Sequence, residues 1–284
     1  MQGHALDITT ENRHLDGAVK PALAVCAVAA IIGIAGSLLL AGSMEGGADY
    51  LVETYLVSFA FFLSISMGAL FFVLLQHLTR AGWSVVVRRV AEALASNVWL
   101  MAVLVVPLLF GMGHRCHWTD AAYAAKDPLL AGKMGYLNAP FFLIRLAVYF
   151  VCWGLMASFL HRTSVAQDAS GDPALTLRME RLSAPGILVF ALTLNFAAFD
   201  LLMSLDAHWF STIFGVYYFA ASTLAFLAVM PGILYAMQWR GILKNAVTVE
   251  HYHDIGKLMF AFVVFWAYIA FSQYMLIWYA NIPE

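Results

Sequence analysis

The sequence predicts an all-α, polytopic transmembrane helical bundle, and three observations predict it. Of its 284 residues, 63% are hydrophobic and 11% charged, about half the charged share of an ordinary soluble domain. Mean hydropathy is +0.81. Seven apolar stretches recur along the chain, each near the ~20 residues that cross a bilayer. Net charge is −2, so nothing in the balance points to a nucleic-acid partner. Cys26, Cys116 and Cys152 are scattered, two of them in apolar stretches, and indicate no disulfide framework.

The spans are expected near Ala22–Ala41, Thr54–His77, Val98–Gly113, Ala139–Leu160, Gly186–Leu205, Trp209–Gln238 and Leu258–Ala280. Met1 to Pro21 is a polar lead of mixed charge. The first span exceeds the core of a cleaved signal and follows acids as well as bases, so it is expected to stay as a helix. The loop from Gly42 to Glu53 has no basic residue. After His77, positions Val87, Val90, Ala91 and Leu94 recur at helical spacing, while Arg88, Arg89 and Glu92 take the other face. That pattern predicts a short amphipathic helix lying on an anionic leaflet, with Trp83 at headgroup level. Pro107 in the short third span and Pro231-Gly232 in the sixth predict kinks. His114, Arg115, Cys116, His117 and Trp118 crowd one loop, but ligands so close together without a second half elsewhere favour plain loop chemistry over a metal site. Ser183 is a candidate N-cap, with Pro185 in the first turn of the fifth helix.

Basic residues set the orientation. With the N-terminus inside, Arg13, Lys20, Arg80, Arg88, Arg89, Arg162, Arg178, Arg181, Arg240, Lys244 and Lys257 all fall on the inner side. The outer side then holds Arg115, Lys126 and Lys133, and Arg145 lies within a span. A cytoplasmic N-terminus follows.

The polar residues inside spans are the candidate site, because an intramembrane charge is costly without a partner or a task. At the helical rise, Arg145 lies ~10 Å from the outer end of its span, Asp200 ~9 Å and Gln273 ~12 Å. The fourth and fifth spans are consecutive and antiparallel, so an Arg145–Asp200 pair is natural. Glu53, Tyr55, Asp206, His208 and Tyr274 lie toward the same side, and His77 closes the second span at the other. This constellation suits either a proton path, a quinone-proximal pocket or a pair of packing charges. His251, His253, Asp254 and Lys257, just before the seventh span, form a candidate inner-surface proton entry. No residue is singled out as catalytic. The nine histidines lie in loops or at span ends, which disfavours axial haem ligation, and no haem-attachment, iron–sulfur, Walker or dinucleotide motif occurs.

Three stretches together resemble a known family. HLTRAGWSVVVRR (77–89), DLLMSLDAHWFSTIFGVYYFA (200–220) and VTVEHYHDIGKLMFAFVVFWAYIAFSQYMLIWYANIPE (247–284) resemble the second large membrane subunit of bacterial alternative complex III, a quinol:cytochrome c oxidoreductase. That polypeptide is one of the NrfD/polysulfide-reductase-type membrane proteins. The resemblance implies a multi-pass protein of the bacterial inner membrane. Its implied organisation is a lead (1–21), a peripheral helix and outer loop (22–53), a first four-helix bundle (54–206) and a second bundle (207–284). The second bundle is incomplete, because the family continues through three further helices where this sequence ends. The resemblance also implies a cofactor-free chain, with a quinone or quinol as its possible small molecule. Its implied partners are a sister NrfD-like subunit, an iron–sulfur subunit, c-haem subunits and membrane lipid. The competing expectation is a structural anchor for peripheral redox subunits. A standalone transporter would require paired interrupted helices in two repeats, and no clear internal repeat is visible.

Overall fold

The computed structural model describes residues 11–12, 17, 19–124 and 126–281. Among them all regular structure is helical, and seven helices are long and apolar enough to cross a membrane. They are α1 (Val19–Ser43), α2 (Gly47–Leu78), α3 (Val85–Phe110), α4 (Ala139–Ser170), α5 (Pro173–Leu201), α6 (Phe214–Trp239) and α7 (Val249–Ala280). Helices are what this composition allows, since backbone groups in hydrocarbon must be satisfied within their own segment.

Packing runs in a ring: α2 meets α3, α3 meets α4, α4 meets α5, and α5 returns to α2. Large side chains fill it, with Phe72, Trp153 and Phe190 almost fully buried. Outside the ring, α6 lies along α2 and α5, and α7 packs on α6. Helix α1 touches α2 but buries none of its most apolar stretch. Ile31, Ile32 and Leu39 point outward, the arrangement expected of a lipid-facing helix. Polar side chains stitch the ring: Trp99 Nε1 donates to Ser158 Oγ at 2.8 Å and Trp153 Nε1 to Thr193 Oγ1 at 2.9 Å. Tyr218 Oη, on α6, donates to the Ala60 carbonyl of α2 at 2.9 Å.

Helix α2 crosses α6 at very short range. A Cβ built on Gly68 would lie 2.2 Å from the Ser222 carbonyl oxygen, so only glycine permits this approach.

The second helix begins at Gly47, inside the loop expected over Gly42–Glu53, and the sixth at Phe214, five residues after the expected Trp209. Three further boundaries differ from the sequence reading, each for a local reason. The amphipathic stretch does not stand apart from the third span; it is the first part of α3. Val87 and Ala91 are buried against the bundle, and this stretch packs on α2 and α4, because protein surface takes the apolar face that a leaflet was expected to take. Trp83 packs on Phe72 at 6.1 Å between ring centroids. Second, the stretch between the expected fourth and fifth spans, residues 161–185, is almost all helix. α4 runs to Ser170, Gly171 turns at φ 65°, Asp172 caps Ala174 N at 2.8 Å, and Pro173 opens α5. Ser183 is therefore not a cap. Its Oγ back-bonds to the Met179 carbonyl, and Pro185 sits inside the helix. Third, α7 begins nine residues before Leu258, at Val249, where Thr248 and His251 form a capping box.

Pro107 does interrupt α3. Leu108 N turns to the Val105 carbonyl at 3.0 Å, which leaves the Leu104 carbonyl without its usual helical donor. Tyr55 Oη from α2 supplies one at 2.8 Å. Replacing Tyr55 with phenylalanine would leave that acceptor bare, at a cost of ~1–3 kcal/mol. Thermal unfolding in detergent should show the drop, and an unchanged midpoint would mean the carbonyl needs no partner.

Candidate functional site

The site is built where α4 and α5 leave the ring toward the loop that precedes α4. Asp200 lies in the last turn of α5, 2% exposed, and Arg145 in the second turn of α4, 8% exposed. Arg145 Nε donates to Asp200 Oδ2 and Nη2 to Oδ1, both at 2.8 Å, a bidentate fork that only arginine can offer. Tyr149, one turn after Arg145 on the same face, donates its hydroxyl to Asp200 Oδ2 at 2.7 Å. Arg145 Nη1 donates to the Tyr136 carbonyl at 3.0 Å. The guanidinium carbon also lies 3.8 Å from the Tyr136 ring centroid and 4.3 Å from that of Phe141, so its remaining surface is covered by π-faces.

This arrangement continues into the backbone. Ser204 Oγ donates to the Asp200 carbonyl at 2.5 Å, and Trp118 Nε1 donates to the Ser204 carbonyl at 3.1 Å. The loop before α4 is thereby tied to the end of α5. Tyr136 also belongs to the cluster. Its buried hydroxyl lies toward Asp200 and Tyr149 without a well-formed hydrogen bond, and burial, reinforced by the Asp200 charge, pushes its pKa up to about 12. It stays protonated and so remains a donor. Beside it lies a cavity of about 380 Å³, lined by Lys133, Tyr136, Met203, Asp206, Trp209 and Phe210 among others. Lys133 Nζ donates to the Ala207 carbonyl at the rim.

The other candidates are dispersed. Asp206 is exposed and caps the turn after it, accepting from His208 N at 3.0 Å. His208 Nε2 contacts Asp127 Oδ2 across the loop. Asp127, which caps Pro128–Lys133, is held below the usual carboxylate range by the Leu130 N–H first and then by His208. Gln273 does not join the pair. It accepts from Ser211 Oγ at 2.8 Å, beside a separate cavity of about 260 Å³ that contains Trp209, Phe214 and Tyr217. Similar depth on three helices therefore did not mean one cluster, because α7 packs chiefly on α6 and touches the ring through Phe262 against Phe71, away from Asp200. Glu53 is exposed on α2, and Tyr274 is 60% exposed against Phe271. His77 is buried at the opposite end of α2. Near the start of α7, His251 serves the capping box, His253 is exposed, and Asp254 pairs with Lys257 at 3.0 Å.

Sequence reasoning missed the two phenols. Tyr149 was within reach, since it stands four residues after Arg145 on one helical face. Tyr136 was not, because its position depends on how the preceding loop folds back. The side chains of His114, Arg115 and His117 lie outside the described ones. Among the described residues no group of three or more histidine, cysteine, aspartate or glutamate side chains could hold a metal ion. No family model and no curated protein matches this chain.

Proposed function

We propose that this chain is a cofactor-free membrane subunit of a bacterial respiratory complex that oxidises quinol and passes electrons to a cytochrome c or similar carrier, of the kind represented by the second large membrane subunit of alternative complex III. In this reading it sits in the cytoplasmic membrane with its N-terminus inside. The sister NrfD-like, iron–sulfur and c-haem subunits are its partners, and the 380 Å³ cavity opens outward. The observation that carries the reading is the buried Arg145–Asp200–Tyr149 cluster, with Tyr136, whose ring covers Arg145, on the wall of that cavity. Intramembrane charges of this kind mark proton relays and substrate sites. A quinol headgroup in the cavity would lie against Tyr136 and the exposed Asp206 carboxylate. From there a proton released on oxidation has a short way to solvent through Asp206 and His208.

Tyr149→Phe tests the proton role, because it removes one hydroxyl from Asp200 without uncovering a charge. In the purified complex, quinol turnover should fall several-fold, in the range of a lost general acid–base contact, while subunit composition stays the same. Full turnover would remove the cluster from the mechanism.

A second reading, the structural anchor, is favoured by one feature. Asp200 already accepts three charge-assisted or short hydrogen bonds through its carboxylate, which leaves it well satisfied as a packing charge. Under that reading Tyr149→Phe weakens subunit retention instead of turnover.

A further inference from the structure

At the end of the ring opposite Asp200, the turn between α2 and α3 and the facing ends of α4 and α5 enclose a cavity of about 340 Å³. Its walls are charged but balanced. Arg80 pairs with Glu180 at 3.0 Å, and Arg89 with Asp168 at 2.5 Å. Arg88 and Arg89 each reach Glu92 at 3.6 Å and His161 Nδ1 lies 3.9 Å from it, all beyond hydrogen-bond contact. Three arginines thus face three carboxylates, and a purely anionic or purely cationic guest would have to displace one of them.

The cavity also holds buried groups whose hydrogen bonding is unmet. His77 and Glu92 are each 1% exposed, and neither His77 ring nitrogen nor either Glu92 oxygen has a hydrogen-bond partner. Gln76 Oε1 is likewise buried and unpartnered. Such groups cost free energy unless something meets them. The unmet acceptors, Glu92 and Gln76, call for N–H donors. The loosely engaged Arg88, with His77 beside it, calls for an oxyanion.

Depth narrows the guest. Counting from Ala139, Ser164 on the cavity wall is ~37 Å along α4 at 1.5 Å per residue. That exceeds the ~30 Å hydrocarbon thickness and falls within the ~40–45 Å that includes the headgroups. The cavity mouth, at the exposed Arg80 and Asp168 side chains, therefore lies in the headgroup layer of one leaflet.

We propose that this cavity binds the headgroup of a zwitterionic phospholipid carrying a primary ammonium, its phosphate held by Arg88 and His77 and its ammonium by Glu92 and Gln76. The shared chemistry, a phosphate next to an ammonium, also exists in soluble phosphoethanolamine, but the position in the headgroup layer assigns the site to lipid. Binding here would fasten the α2–α3 turn to α4 and α5 at the membrane surface.

The test uses the full chain, with whatever subunits purify with it, delipidated in detergent and then given phosphatidylethanolamine, phosphatidylcholine or phosphatidylglycerol of matched acyl chains. Native mass spectrometry should show phosphatidylethanolamine retained at least about tenfold more than the other two, the worth of a few charge-assisted hydrogen bonds. The paired variant Arg88→Gln/Glu92→Gln removes both charges together, so the fold has no bare ion to bury. It should lose the preference while its thermal midpoint in detergent without lipid stays near that of the parent. Equal retention of all three lipids, stronger retention of phosphatidylglycerol, or an unchanged preference in the paired variant would each overturn the proposal. Soluble phosphoethanolamine supplied alone should raise the midpoint far less than the lipid does; an equal rise would assign the site to the soluble molecule instead.

Discussion

Asp200→Asn is expected to destabilise the chain by ~3–5 kcal/mol, the range for breaking a buried ion pair by removing one charge. The amide keeps the size of the carboxylate but leaves Arg145 charged, 8% exposed and walled by the Tyr136 and Phe141 rings. The bidentate fork would then face one donor and one acceptor where it needs two acceptors, so one of the two 2.8 Å bonds goes. Arg145→Gln should cost a similar amount by stranding Asp200, although Tyr149 still donates to it. The double variant Arg145→Gln/Asp200→Asn leaves no charge to bury and should recover most of the loss. Denaturation of the three variants in detergent gives the coupling directly. Strictly additive losses would mean that the two groups do not depend on each other. The result bears on how turnover data are read: a loss of activity in Asp200→Asn speaks for a proton role only where folding and assembly are shown intact, which is why Tyr149→Phe is the cleaner probe of chemistry.

Gly68→Ala is the second large effect, expected to cost ~1–3 kcal/mol by overpacking. The added methyl meets the Ser222 carbonyl at 2.2 Å and the Phe226 Cβ at 2.7 Å, and backbone cannot swing aside as a side chain end can. Helix α6 must back away from α2, carrying with it α7, which packs on α6, and straining the Tyr218–Ala60 bond. Gly232→Ala on the same helix is the control. Nothing lies within 4 Å of its added Cβ, so it should be neutral or slightly stabilising through helix propensity. Equal thermal midpoints for the two variants would show that the close α2–α6 crossing does not limit stability.

Much of the architecture was legible in the chain because a bilayer leaves so few choices. Apolar runs of spanning length located seven helices, and the depth of Arg145 and Asp200 on consecutive antiparallel spans was enough to expect their pairing. Helix ends were read less well, since polar helical turns outside the hydrocarbon look like loop by hydropathy alone. The Ser170-Gly171-Asp172-Pro173 run did carry a stop and a start, a left-handed glycine followed by an N-cap and a first-turn proline, and it marks the true boundary between α4 and α5.

The sequence by itself determined the membrane character, the number of spans and the pairing of the two intramembrane charges on neighbouring helices. Tertiary structure decided which polar groups share a site. Gln273 matches Asp200 in depth but belongs to a helix that packs chiefly on α6 and bonds Ser211 instead, and depth is a single coordinate. Tyr136 reaches Arg145 only because its loop folds back over α4. The chamber around His77 exists only because four helix ends converge there, bringing Arg88 and Glu92 of α3 to face Asp168 of α4 and Glu180 of α5. Hydropathy reports how deep a residue lies, whereas contact depends also on rotation about each helix and on which helices are neighbours, and packing alone sets those.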